Sequence, residues 1–130
     1  MGVLVDYFTA ESDQSAERAM SGGPAQLDLP YVDCKGWIDD LSYLVAELSE
    51  RDASEFGDSQ GVVDDGEASG VDRVMPETVV ALAAVDDARV RKYADDELLD
   101  AYEVERITEL RDLAREALRL GHGMYRWSCV

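Results

Sequence analysis

Basic side chains are scarce in this chain. Among 130 residues there are ten Arg, two Lys (Lys35 and Lys92) and one His (His122), against 17 Asp and 12 Glu. A chain so poor in positive charge cannot neutralise a phosphate backbone or an anionic lipid surface, so nucleic acid and membrane are excluded as expected partners. A single histidine excludes the usual Ser/His/Asp and Cys/His/Asn triads unless His122 is itself the base, and nothing marks Ser128 or Cys129 as an activated nucleophile. Two cysteines, Cys34 and Cys129, are too few for a disulfide scaffold. They read as small core hydrophobes, with a disulfide between them as the minority alternative. No apolar run reaches the roughly 20 residues of a membrane span. The opening Met1-Gly2-Val3-Leu4-Val5-Asp6 lacks a basic leader region, and Asp6 breaks the myristoylation pattern, so a cytoplasmic protein is expected.

Ligand motifs are missing too. Ser21-Gly22-Gly23-Pro24 follows a helix rather than a strand, so it is no phosphate loop. Asp64-Asp65-Gly66-Glu67 lacks the spacing of a calcium loop. His122, Cys129 and Cys34 have no metal-ligand spacing. No metal, no cofactor and no catalytic residue is expected.

What the chain has is acid, unevenly spread. The formal net charge is -17; residues 1–70 hold 16 acidic and 3 basic side chains, and residues 71–130 hold 13 and 9. Such a field attracts basic surfaces. The candidate binding residues are therefore Asp39, Asp40 and Glu47 on a helix, and Asp64, Asp65 and Glu67 in an acidic stretch. The expected partner is a basic protein, and the expected role is a non-enzymatic interaction module of immunity or antagonist type. Salt adaptation is a competing origin of the acidity, and a GC-rich genome would also favour Arg over Lys.

At 46% hydrophobic residues the chain can build a core, and its length suits one domain. Residues 2–9 are rich in β-branched and aromatic residues and read as a strand. Residues 12–20 read as a short helix capped by Ser12. Residues 26–34 alternate, with Pro30 marking an edge strand. Trp37, Ile38, Leu41, Leu44, Val45 and Leu48 form the stripe of an amphipathic helix. Residues 52–70 read as an acidic loop, and 71–75 as a short extended stretch. Pro76 opens a helix over 77–85, Asp86 caps one through Tyr93, and Asp95 caps a long one to about Leu120, ended by Gly121. Residues 123–130 alternate as a terminal strand. The expectation is an α+β domain spanning 1–130. Its small mixed or antiparallel sheet has about three to four strands, includes both termini, and is covered by about five helices, the last one long.

In the long helix, Glu103 and Arg106 fall within the apolar face, three apart, where they can touch. They read as a structural ion pair or, alternatively, as the edge of a small-molecule pocket with Tyr7, Tyr125 and Trp127 of the terminal strands. Arg111, Arg115 and Arg119 form a basic row, read as a solvated face with Asp112 and Glu116, or as a docking seam.

The Met1-to-Phe8 opening, Lys35-Gly36-Trp37 leading into Leu44-Val45-Ala46, Val79-Val80-Ala81-Leu82, and the close Leu113-Ala114-Arg115-Glu116-Ala117 with Gly121-His122-Gly123-Met124-Tyr125-Arg126-Trp127 resemble the YfbM-like family of small bacterial proteins. The resemblance implies an α+β fold and brings no catalytic residues with it; the chain departs from the pattern most at 52–70.

Overall fold

A computed structural model describes residues 4–34, 40–57, 59–66 and 69–129. Its centre is strand β5 (Gly123–Cys129), which pairs antiparallel with β1 (Leu4–Ala10) on one side and β4 (Ser69–Arg73) on the other. Strand β2 (Tyr31–Asp33) lies outside β1, and β3 (Gln60–Asp64) outside β4, so the order is β2-β1-β5-β4-β3, antiparallel throughout. The two terminal strands are neighbours in full register, from Leu4 opposite Cys129 to Ala10 opposite Gly123. Pro30 precedes the three-residue edge strand β2, where a missing N–H costs least.

Five α-helices occur among the described residues: α1 (Asp13–Glu17), α2 (Leu41–Ser49), α3 (Pro76–Ala83), α4 (Asp87–Asp96) and α5 (Ala101–Leu120). Both faces of the sheet are covered, which is why β1 has buried residues on both sides. Val5 and Tyr7 join the cluster under α2–α5, with Val45, Leu48, Leu82, Ile107 and Leu110. Phe8 and Ala10 join Ala16, Ala19, Tyr125 and Trp127 beneath α1 and the 3₁₀ turns at Arg18–Ser21 and Pro24–Leu27. Gly23 lies against the Trp127 ring at φ 85°, and a Cβ there would come within 3.1 Å of the ring; only glycine meets both conditions.

Two expectations are corrected. The sheet has five strands, because 52–70 is not a loop throughout: it contains a 3₁₀ turn (Ala53–Glu55), all of β3, and the start of β4. Gly61-Val62-Val63 is too short and too acid-flanked to stand out, but pairing with β4 and partial burial of both valines hold it in the sheet. The cap of α5 is Asp100, not Asp95; its carboxylate accepts from Glu103 N at 2.8 Å, and α4 continues through Asp96. The proposed helix lead-in at residues 35–39 lies outside the described residues, and α2 begins at Leu41. The end of α5 is as expected. Gly121 is left-handed, Gly121 N donates to Leu118 O, and His122 N donates to Ala117 O.

Candidate ligand cavity and acidic surface

In an antiparallel sheet, directly opposed residues share a face. Tyr7 opposes Arg126, and Arg126 opposes Asp72, so the three form a row across β1, β5 and β4. The row lies on the face covered by α2–α5, among Val5, Met124 and Val74. Arg126 Nη1 donates to Asp72 Oδ2 at 3.3 Å, and the Arg126 side chain is only 17% exposed. A guanidinium held this far from water requires such a counter-charge.

Beside the row is a cavity of about 200 Å³. Its floor is Tyr7, Arg126 and Val74. Its walls are the start of α2 (Asp40, Leu41, Ser42), the start of α3 (Met75, Thr78), and Gly57 with Ser59. Asp40 is the α2 cap: its Oδ1 accepts from Ser42 N at 3.0 Å and from Ser42 Oγ at 2.6 Å. Thr78 is 1% exposed, and its hydroxyl has no hydrogen-bond partner among the described residues. Thr108 in α5 shows the usual alternative, donating to Val104 O four residues back. An unsatisfied buried hydroxyl costs stability. Nothing in the sequence marks Arg126, Asp72 and Thr78 as neighbours; strand register pairs the first two, and the packing of α3 on the sheet adds Thr78.

The structure does not bring Glu103 and Arg106 together. Glu103 turns back to accept from Asp100 N and completes a capping box. Arg106 reaches the other way, donating to Glu109 Oε2 at 2.6 Å, with its guanidinium 4.6 Å from the Tyr102 ring centre. Tyr7 and Trp127 lie on opposite faces of the sheet. Tyr7 lines the cavity, whereas Trp127 packs under the short helix and donates from Nε1 to Met20 O. Tyr125 shares that side, stacked on Phe8, with its hydroxyl donating to Asp13 Oδ1.

The acidic candidates are exposed but scattered. Asp40 sits at the cavity rim. Glu47 lies two turns along α2 and accepts from the Tyr93 hydroxyl at 2.7 Å. Asp64 and Asp65 shape the β3–β4 turn by accepting from Gly66 N and Ser69 N. Asp39 and Glu67 lie outside the described residues. The arginines of the row are bonded within the protein. Arg111 is 5% exposed and bonds Asp87 at 2.6 Å, and Arg115 donates to Ala83 O and Val85 O, binding the end of α3. Arg119 pairs with Glu116. Cys34 and Cys129 are not joined in a disulfide; burial first, then the nearby Asp33, pushes the Cys34 thiol up to about 12, so it stays a neutral core residue.

Among the described residues no helix is long and apolar enough to cross a membrane. Comparison with protein-family models, curated proteins and solved structures finds no match to this chain.

Proposed function

We propose that the protein is a non-enzymatic cytoplasmic interaction module, of immunity or antagonist type, that takes a basic protein partner on its acidic surface. The observation that carries this reading is the direction of its charges. The net charge is -17, while Arg89, Arg111, Arg115 and Arg126 are engaged with the protein's own carbonyls and carboxylates. The outward field is therefore strongly negative, and Asp40, Glu47, Asp64 and Asp65 stand exposed in it. Association with a basic surface would be fast and salt-sensitive. Kinship with the YfbM-like proteins, proposed on the motifs quoted above, fits a module without catalytic residues.

The test is capture from native lysate on the immobilised chain at low salt, followed by a high-salt wash. One basic protein should be released by salt, and a variant carrying Asp40→Asn, Glu47→Gln, Asp64→Asn and Asp65→Asn should retain much less of it. No basic protein in the wash, or equal retention by the variant, refutes the reading. A second reading, a small-molecule-binding domain, is favoured by one observation: the cavity beside Tyr7, Arg126 and Asp72, with the unpartnered hydroxyl of Thr78 in its wall.

A further inference from the structure

The turn from α4 into α5 sets exposed apolar groups among acids. Residues 95–105 hold six acidic side chains and no basic one. In the same stretch Leu98 is 90% exposed and Tyr102 44% exposed. Leu98 adopts φ 55°, a left-handed conformation that glycine enters freely and leucine does not, so local stability does not account for a leucine there. Beside this turn, between α4 and the start of α5, runs an open groove of about 460 Å³. Val90, Ala94, Leu99, Ala101 and Val104 give it an apolar floor. Its charged lining is the carboxylates of Asp87, Asp95 and Asp100 against the guanidinium of Arg91; Asp87 is also paired with Arg111. Two packed helices with a trough between them offer the ridges and grooves on which a third helix seats. A second copy of this chain would bring another net charge of -17 to the acidic rim, and an anionic membrane surface would be repelled likewise. A basic helix with one apolar face suits both the floor and the rim.

Resting on the first reading above, that of a basic protein partner, we infer that the partner docks in the α4–α5 groove as a basic amphipathic helix. The apolar face of that helix lies on Leu98, Leu99 and Val104, and its lysines or arginines lie beside Asp95, Glu97 and Asp100.

The probe is a synthetic amphipathic helix of leucine and lysine, roughly 18 residues long, with its leucines at the i, i+3, i+4, i+7 spacing. The comparator has the same composition, with the leucines spread around the helix. Both are titrated calorimetrically into the full chain at about 0.15 M salt. The amphipathic peptide should bind at least about tenfold more tightly than the comparator. Leu98→Gly and Val104→Ser leave the net charge unchanged, so each should remove most of that preference while binding of the comparator stays the same. Leu98→Gly relieves the left-handed backbone, so its melting temperature should hold or rise, and its lost binding is then not lost folding. Leu120→Ser, at the far end of α5 and 44% exposed in the parent, should keep the preference. If the two peptides bind the parent equally, or if the preference survives in Leu98→Gly or Val104→Ser, the groove assignment is overturned while attraction to a basic partner stands. The assignment is equally overturned if Leu120→Ser loses the preference as fully as Leu98→Gly does. If neither peptide binds even at low salt, the basic-partner reading falls with it.

Discussion

Asp6 gives the sharpest test of the fold's electrostatics. It lies in β1 directly opposite Asp33 of β2, in the register that brings opposed side chains closest. Partial burial, and then the Asp33 charge, raise the Asp6 carboxyl from the usual 3.8 to about 6. Between those values the folded chain binds a proton that the unfolded chain has released, so stability falls as pH rises through this window. The contribution of neutral Asp6 is complete below 3.8 and lost above about 6. Sealed from solvent, a rise of that size would be worth about 3 kcal/mol. Asp6 is only partly buried, and solvent screening reduces this to roughly 1.5 kcal/mol. Asp6→Asn keeps the shape and removes the charge. The variant should therefore exceed the parent by roughly 1.5 kcal/mol near pH 7.5 and match it near pH 3.5. Urea unfolding of both chains at the two pH values reads this directly, and the difference between chains cancels every other titrating group. A variant that is less stable near neutrality, or a gap that does not change with pH, would refute the assignment of Asp6 as an electrostatically opposed carboxylate.

Four further outcomes are expected. Leu98 ends α4 in a left-handed conformation at φ 55° with its side chain 90% exposed, so Leu98→Gly should stabilise by about 1 kcal/mol in thermal unfolding; a loss would show that Leu98 makes a contact of its own. Arg115→Ala removes two 2.8 Å hydrogen bonds to the carbonyls of Ala83 and Val85 and should cost about 1–2 kcal/mol in urea; no change would mean that water replaces them fully. Thr78→Val deletes an unsatisfied hydroxyl at constant shape and should raise stability by about 1 kcal/mol without ligand, a sign opposite to that expected if the hydroxyl were bonded. With 29 acidic and 12 basic side chains, the urea midpoint should rise between low salt and about 0.15 M as self-repulsion is screened; a falling midpoint would mean that the internal ion pairs dominate.

The sequence made legible those parts of the fold that local chemistry decides. Ser12, Pro76, Asp86 and Gly121 act at helix ends as their side chains or backbone freedom require. The alternating terminal segments are strands and neighbours, because two apolar termini must share a core. Where two residues could do the same job, local chemistry could not choose. Asp95 and Asp100 are both competent caps, and the break between α4 and α5 is made by Leu98, which carries none of the signal a glycine would. The site was less legible still. Glu103 and Arg106 do lie three apart on one helix, but capping draws one toward Asp100, while Glu109 and the Tyr102 ring hold the other. Tyr7, Arg126 and Asp72 are far apart in sequence and meet only through the register of three strands.

The arginines connect the fold to its surface charge. Arg115 satisfies carbonyls where α3 ends, and Arg89 does so for α2 through Leu48 O while pairing with Glu50 at 2.8 Å. Arg111 ties α5 to Asp87 in the first turn of α4, where an acid also suits the helix dipole. Arg126 does the same between neighbouring strands with Asp72. Orphan carbonyls at helix ends need donors, and a guanidinium can serve two at once in fixed geometry where a lysine ammonium is a single point. A chain that joins its elements in this way uses its positive charge on contacts within itself. The carboxylates at helix starts and at the β3–β4 turn accept backbone N–H groups without losing their charge. Each of these ion pairs uses one carboxylate per arginine, so the outward field is set by the excess of 29 acidic over 12 basic side chains.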